Sequence, residues 1–359
     1  MKNFIRLFIF LLITLFIAIK LGNILIPKGW TDDFQGQIYS PKGFSKIPEN
    51  QLDILFIGDS SIYKGVSPMQ IYEKTGITSY NYNAPSARVY MSYYFLQNAL
   101  LKQQPKVVFV DTVTMFYARK EDEPMRRQSF DYMDLSKVKI DMINDDVFDN
   151  SFFDKISYIL PIFRYHDRWQ EINYDSIKES KKDYQSITKG FLLSTSIEPN
   201  KNGYNYLNGN EEYNEIKKYN LEYLYKIINL CKEKNIELVL LGLPDIKVWN
   251  QKSSDTIKKI ADKEGVIFLD INDKKKYPIN WNTDTEDGGG HMNIIGATRI
   301  TNYIIDYLQS NYRLPDHRQD KNYSNWDKDL KIYQLKYEKA IKRIKKNADA
   351  INIKIELPL

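Results

Sequence analysis

The chain opens on an unbroken apolar run from Leu7 to Ile19, bounded by Lys2 and Arg6 before it and Lys20 after it. Leu21-Gly22-Asn23-Ile24-Leu25-Ile26-Pro27 extends the run to about 20 residues, enough to cross a ~30 Å hydrocarbon layer with Lys20 snorkelling to the interface. Residues 1–27 therefore read as an uncleaved signal-anchor helix. Lys2 and Arg6 predict a cytoplasmic N-terminus, and hence a single-pass cell-membrane protein with its body outside. The competing reading is a cleavable signal peptide, against which stand the lack of a small-x-small site and of a nearby cysteine for lipidation. Residues 28–50, polar with scattered Gly and Pro, read as a tether.

Beyond the tether, strand and helix patterns alternate. Asp53-Ile54-Leu55-Phe56-Ile57 is a short apolar run ending at Gly58-Asp59-Ser60, the signature of a buried strand entering a turn. Ser67-Pro68 opens a short helix to about Lys74, 77–81 reads as a second strand, and 89–103 as a helix. Val107-Val108-Phe109-Val110 supplies the third strand. Ile216, Tyr223, Ile227 and Cys231 share one face of a helix over 211–234. Runs at 236–243 and 266–271 give the fourth and fifth strands around a helix at 254–264, and an amphipathic helix over 294–309 closes the series. Alternation of this kind predicts an α/β protein, a three-layer α/β/α sandwich on a parallel five-stranded sheet, within a domain of residues 51–312.

Two stretches depart from the rhythm. Residues 113–210, rich in Tyr, Phe, Asp and Lys, read as an insertion over one sheet edge and a candidate substrate cap. Residues 313–359 form a basic helical tail in which Trp326, Leu330, Tyr333, Tyr337, Ile341 and Ile344 make one stripe, expected to dock on the domain.

Composition narrows the function classes. With 359 residues, 43% hydrophobic and 27% charged, the chain is neither disordered nor a polytopic membrane protein. Its net charge of +5 resides in the tail, where 12 Lys/Arg oppose 7 Asp/Glu; the rest is neutral, which argues against a nucleic-acid partner. The single cysteine, Cys231, excludes an internal disulfide framework and reads as a buried thiol. No His/Cys/carboxylate cluster has ligand spacing and no phosphate loop or dinucleotide fingerprint occurs, so neither metal nor cofactor is expected.

The three histidines are His166, His291 and His317. His291 sits in Asp287-Gly288-Gly289-Gly290-His291-Met292-Asn293, a glycine-rich loop before a helix that Asn293 can cap. Ser60, at the carboxyl end of the first strand, stands where open α/β sheets bind ligands. A serine hydroxyl needs a base to take its proton, and a histidine base needs a carboxylate to fix its tautomer. Asp287 is the nearest upstream acid, and three glycines permit the fold-back; Asp284 and Glu286 are alternatives. Ser61 is the rival nucleophile.

Ile54-Leu55-Phe56-Ile57-Gly58-Asp59-Ser60-Ser61 resembles the first block of the SGNH (GDSL-type) hydrolases, and Gly290-His291-Met292-Asn293-Ile294-Ile295-Gly296 their last block. The last block has the form found in the membrane-anchored acyltransferase branch, which includes alginate-acetylation and teichoic-acid D-alanyl transfer proteins. The resemblance covers roughly residues 50 to 310. It implies Ser60 as nucleophile, His291 as base and Asp287 as orienting acid, with oxyanion donors at Ser60 and at the backbone of Asn83 or Ala84. It further implies an exported serine O-acyltransferase or esterase that moves an acyl group, read as acetyl, onto a cell-surface polysaccharide. A membrane-bound O-acyltransferase would supply the acyl group. His166, Arg168 and Trp169, with Tyr165, are candidates to line the sugar site; core packing of the insertion is the alternative.

Three departures bear on this. The family acid lies three residues before the histidine, where this chain has Gly288. The second-block glycine is replaced within Asn81-Tyr82-Asn83-Ala84-Pro85, and the third-block asparagine is missing at Asp111-Thr112. These losses leave room for a non-catalytic polysaccharide-binding scaffold, and the branch leaves room for a teichoic-acid D-alanylation factor.

Overall fold

A computed structural model describes residues 1–27, 40–118, 122–147, 151–174, 177–178, 187–201, 203–209 and 215–358. The first helix, α1 (Lys2–Leu25), is long and apolar enough to cross a membrane, and almost none of it is buried before Gly22.

Five strands, β1 (Ile54–Gly58), β2 (Ser79–Asn83), β3 (Val107–Asp111), β4 (Glu237–Gly242) and β5 (Ile267–Asp270), form one all-parallel sheet in the order β2-β1-β3-β4-β5. The first three are buried at every position, as expected for strands covered on both faces. The second strand lies two residues later than its apolar pattern suggested, because Asn81 and Asn83 are held inside by hydrogen bonds rather than by hydrophobicity. The helices are α2 (Ser40–Phe44), α3 (Ser60–Gly65), α4 (Pro68–Thr75), α5 (Val89–Ala99), α6 (Glu123–Phe130), α7 (Lys137–Ile143), α8 (Phe152–Ile159), α9 (Ile162–Tyr165), α10 (Lys218–Glu233), α11 (Gln251–Glu264), α12 (Ile294–Asn311) and α13 (Ser324–Ala350). One group, α5 with α10, packs together and against the strands; a second, α3 and α4 with α12, does the same. The arrangement is compatible with a three-layer α/β/α fold.

Part of the stretch read as a tether belongs to the core. Residues 28–39 lie outside the described residues, but Phe44 packs on the rings of Tyr80 and Tyr82, and Ser40 accepts and donates hydrogen bonds at β2. The tail docks as expected: Trp326, Tyr333 and Ile344 are buried, Tyr72 meets Trp326, and the Tyr333 and Tyr337 hydroxyls reach Ser67 and Thr298. Cys231 is buried on α10, and burial pushes its thiol up to about 12. The start of the helix expected from residue 211 falls partly outside the described residues.

Candidate active site

The strand order reverses direction between β1 and β3, so their carboxyl ends open the crevice where doubly wound sheets hold ligands. Gly58 ends β1 inside this crevice. A Cβ there would lie 2.5 Å from Cβ of Asp111 and 2.7 Å from Ile62, so only glycine fits. Asp59 caps α3 by accepting the Ser61 N–H at 2.8 Å, and its other oxygen accepts the Tyr117 hydroxyl at 3.0 Å. Ser60 thus becomes the first residue of α3, and its N–H has no acceptor among the described residues.

The opposite wall is the loop before α12. Asn293 accepts the Ile295 and Gly296 N–H groups and donates to the Thr283 carbonyl at 2.7 Å, pinning both loop ends. Between them the chain doubles back: Glu286 N–H reaches the His291 carbonyl, and Gly288 and Gly289 take φ of +74° and +117°. A side chain at Gly289 would collide with Ile246 at 2.3 Å. This turn carries Asp287 back onto His291 across the three intervening glycines. Asp287 Oδ1 accepts the Gly290 and His291 N–H groups, both at 2.9 Å, and Oδ2 lies 2.7 Å from His291 Nδ1.

His291 Nε2 lies 2.7 Å from Ser60 Oγ, across 231 residues of sequence. Burial alone would raise the Asp287 carboxyl. The His291 side chain and backbone N–H, together with Lys247, outweigh it and hold the group well below the usual carboxylate range. An ionised carboxylate can only accept, so Nδ1 carries a proton, and in the neutral ring it is the Nε2 lone pair that faces the serine hydroxyl. Both side chains are partly exposed (28% for His291, 31% for Asp287).

Of the alternatives, Asp284 is fully buried on Arg299 at 2.8 Å, Glu286 pairs with Lys64, and Ser61 is buried while the imidazole meets Ser60. His317 lies 3.0 Å from Asp53 and stacks on Tyr323, a structural role.

The remaining expected residues have other partners. The Asn83 N–H donates to Ser40 Oγ at 3.2 Å and the Ala84 N–H to the Gly58 carbonyl at 3.4 Å, so of the expected oxyanion donors these two are already engaged. His166, Arg168 and Trp169 lie at the foot of α1: the Arg168 guanidinium donates to the Leu25 carbonyl at 2.6 Å and pairs with Glu171, and His166 pairs with Asp167. Their partners belong to α1 and to the insertion itself, because 162–171 closes a small apolar cluster with Leu25, Ile26 and Tyr132.

Sequence reasoning missed three groups. Lys247 lies 3.2 Å from Asp287 Oδ2 and also donates to its carbonyl. Asp245 is buried beside it, and burial with the nearby Asp59 charge pushes its carboxyl up to about 6 despite His291. Asp111, the last residue of β3, is buried against Gly58, and burial plus Asp59 push it well above the carboxylate range. The available signal was positional: Leu243-Pro244-Asp245-Ile246-Lys247 follows the carboxyl end of β4, and Asp111 is the carboxyl end of β3.

No protein-family model matches the chain, and no curated protein matches it in sequence.

Proposed function

We propose that this protein is a membrane-anchored serine O-acyltransferase or esterase of SGNH type. The observation that carries the reading is the continuous relay Asp287–His291–Ser60, with both links at 2.7 Å. In the first half-reaction His291 Nε2 takes the Ser60 proton as Oγ bonds to an acyl carbonyl carbon. The resulting oxyanion is offered the Ser60 N–H, and collapse breaks the ester bond as His291 returns the proton to the leaving oxygen. In the second, His291 takes the proton of an acceptor hydroxyl as its oxygen bonds to the acyl carbon; the bond to Ser60 Oγ then breaks and His291 returns the proton to Oγ. A sugar hydroxyl as acceptor gives transfer and water gives hydrolysis. The anchor supports a surface glycopolymer as acceptor and a membrane-bound acyl supplier, by confining the site near the bilayer.

One observation favours a second reading, a polysaccharide-binding scaffold with an idle relay. Two oxyanion donors are committed to Ser40 and Gly58, and losing one such donor typically costs about 10²–10³ in turnover. Incubating the detergent-solubilised full chain with a chromogenic acetyl ester and a fluorophosphonate separates them. Turnover and labelling that disappear in Ser60→Ala support the enzyme; absence of both in the wild type supports the scaffold, and labelling retained in Ser60→Ala rejects the nucleophile.

A further inference from the structure

The exposed Phe and Trp side chains are not scattered. Among the described residues outside α1, every exposed Phe or Trp falls in one stretch of the insertion: Phe152 at 71%, Phe153 at 75%, Phe163 at 56% and Trp169 at 65%. Helix α8 turns Ser157 and Tyr158 inward, Tyr158 packing on Phe130 and under the Arg127 guanidinium, and leaves Phe152 and Phe153 in solvent. Solvent exposure of four large aromatic side chains is unfavourable unless something apolar covers them.

The same stretch is fastened to α1. Gly22 meets the backbone of Ile162 so closely that a Cβ would lie 3.0 Å from its nitrogen. Leu25 and Ile26 pack with Tyr132 and Tyr165; Arg168 holds the Leu25 carbonyl, and the Tyr132 hydroxyl holds that of Pro27 at 2.9 Å. Lys20, the cation that closes the apolar run, precedes Gly22 by two residues, about 3 Å along a helix axis. That attachment leaves no slack. If α1 spans a bilayer, the insertion must stand at headgroup height, the depth at which Trp and other aromatics are favoured.

We propose that residues 152–169 form a membrane-contact face, whose Phe152, Phe153, Phe163 and Trp169 side chains enter the interfacial layer of the leaflet from which α1 emerges. Residues 151–174 contain three cations (Lys155, Arg164, Arg168) and three carboxylates (Asp154, Asp167, Glu171), and the arginines are paired with Glu123 and Glu171. The face is therefore neutral, and apolar insertion rather than attraction to anionic lipid drives it; neutral phosphatidylcholine suffices and salt has little effect. Such a face fixes the orientation of the sheet relative to the bilayer, and with it the direction in which the Ser60 crevice opens.

The inference rests on α1 being a retained span, so the test contains a separate probe for it. Cys231 is buried, which leaves an engineered cysteine as the only reactive thiol. The full chain carrying Phe153→Cys, Trp169→Cys, Leu12→Cys or Leu101→Cys is labelled with an environment-sensitive fluorophore and reconstituted in phosphatidylcholine vesicles. Leu101, exposed before the amino end of β3, is the aqueous reference. The expected result is a blue shift and loss of emission with lipids brominated near the headgroup for the 153 and 169 probes, loss with deeply brominated lipids for the 12 probe, and neither for the 101 probe. A lipid-buried 12 probe with 153 and 169 probes that behave like 101 overturns the contact face and leaves the span intact. An aqueous 12 probe overturns both. Probes at 153 and 169 shielded from an aqueous quencher but unaffected by brominated lipid indicate a protein contact, and also overturn the proposal.

Discussion

Replacing Asp287 by asparagine tests the relay more sharply than deleting it. The carboxylate has two duties on two oxygens: Oδ1 accepts the Gly290 and His291 N–H groups, and Oδ2 faces His291 Nδ1 and the Lys247 ammonium. An amide has one accepting atom. Two fixed backbone donors hold its oxygen on their side, which turns the NH₂ group toward Nδ1. That donor can be met only by an unprotonated Nδ1, so the imidazole proton moves to Nε2 and points at Ser60 Oγ. The base then has no lone pair with which to take the serine proton. The wrong tautomer in serine hydrolases costs about 10⁴ in turnover, equivalent to roughly 5 kcal/mol of barrier. Asp287→Asn is expected to lose about that factor in kcat/KM on a chromogenic acetyl ester, with the loop otherwise intact and little change in melting temperature. Because the backbone contacts survive, the loss belongs to tautomer control rather than to loop collapse. A loss below about tenfold would refute the assignment of Asp287 and return the acid to another group.

Two further outcomes follow from buried charge. Lys189 and Asp329 pair inside the seam between the insertion and α13, the ammonium lying over the Trp326 ring; burial pushes the lysine down while Asp329 opposes the shift. Asp329→Asn leaves that ammonium without its counter-charge and is expected to cost about 3–5 kcal/mol, seen as a lower melting temperature and protease cutting of α13. The double variant Lys189→Met/Asp329→Leu should recover most of it, and a double variant as unstable as the single one would contradict the argument. Asp245, chiefly through burial and then the Asp59 charge, ionises only at about 6 in the folded chain against an ordinary value of about 3.9. A raised carboxyl lends stability that is complete below the unfolded value and disappears as pH rises through the folded one. Asp245→Asn keeps an oxygen for the Lys247 and Val248 N–H groups, so relative to the wild type it should gain about 3 kcal/mol between pH 4 and pH 8. A pH-independent difference in thermal unfolding would exclude this.

What the sequence determined by itself was local. Apolar runs of strand length bounded by turn residues gave four of the five strands at their observed places. Asn293 capped its helix as expected, the tail stripe marked its docking face, and the spacing Asp287–His291 over three glycines permitted the turn that forms. Each of these depends on residues within a few positions of one another, where backbone geometry is nearly fixed by residue type. The strand β2 was placed early for a related reason: hydropathy reports which positions avoid water, not which asparagines find partners inside.

Only the tertiary structure decided the partners. It set Ser40 on the Asn83 N–H, Lys247 on Asp287, and Arg168 on the Leu25 carbonyl at the end of α1. Side-chain periodicity records burial on one face of an element and contains no information about what lies opposite. A hydrogen bond or ion pair between residues 40 to 150 positions apart is fixed by how the layers close, and by the entropy already lost in closing them, so it becomes visible only once the sheet and its covering helices are assembled.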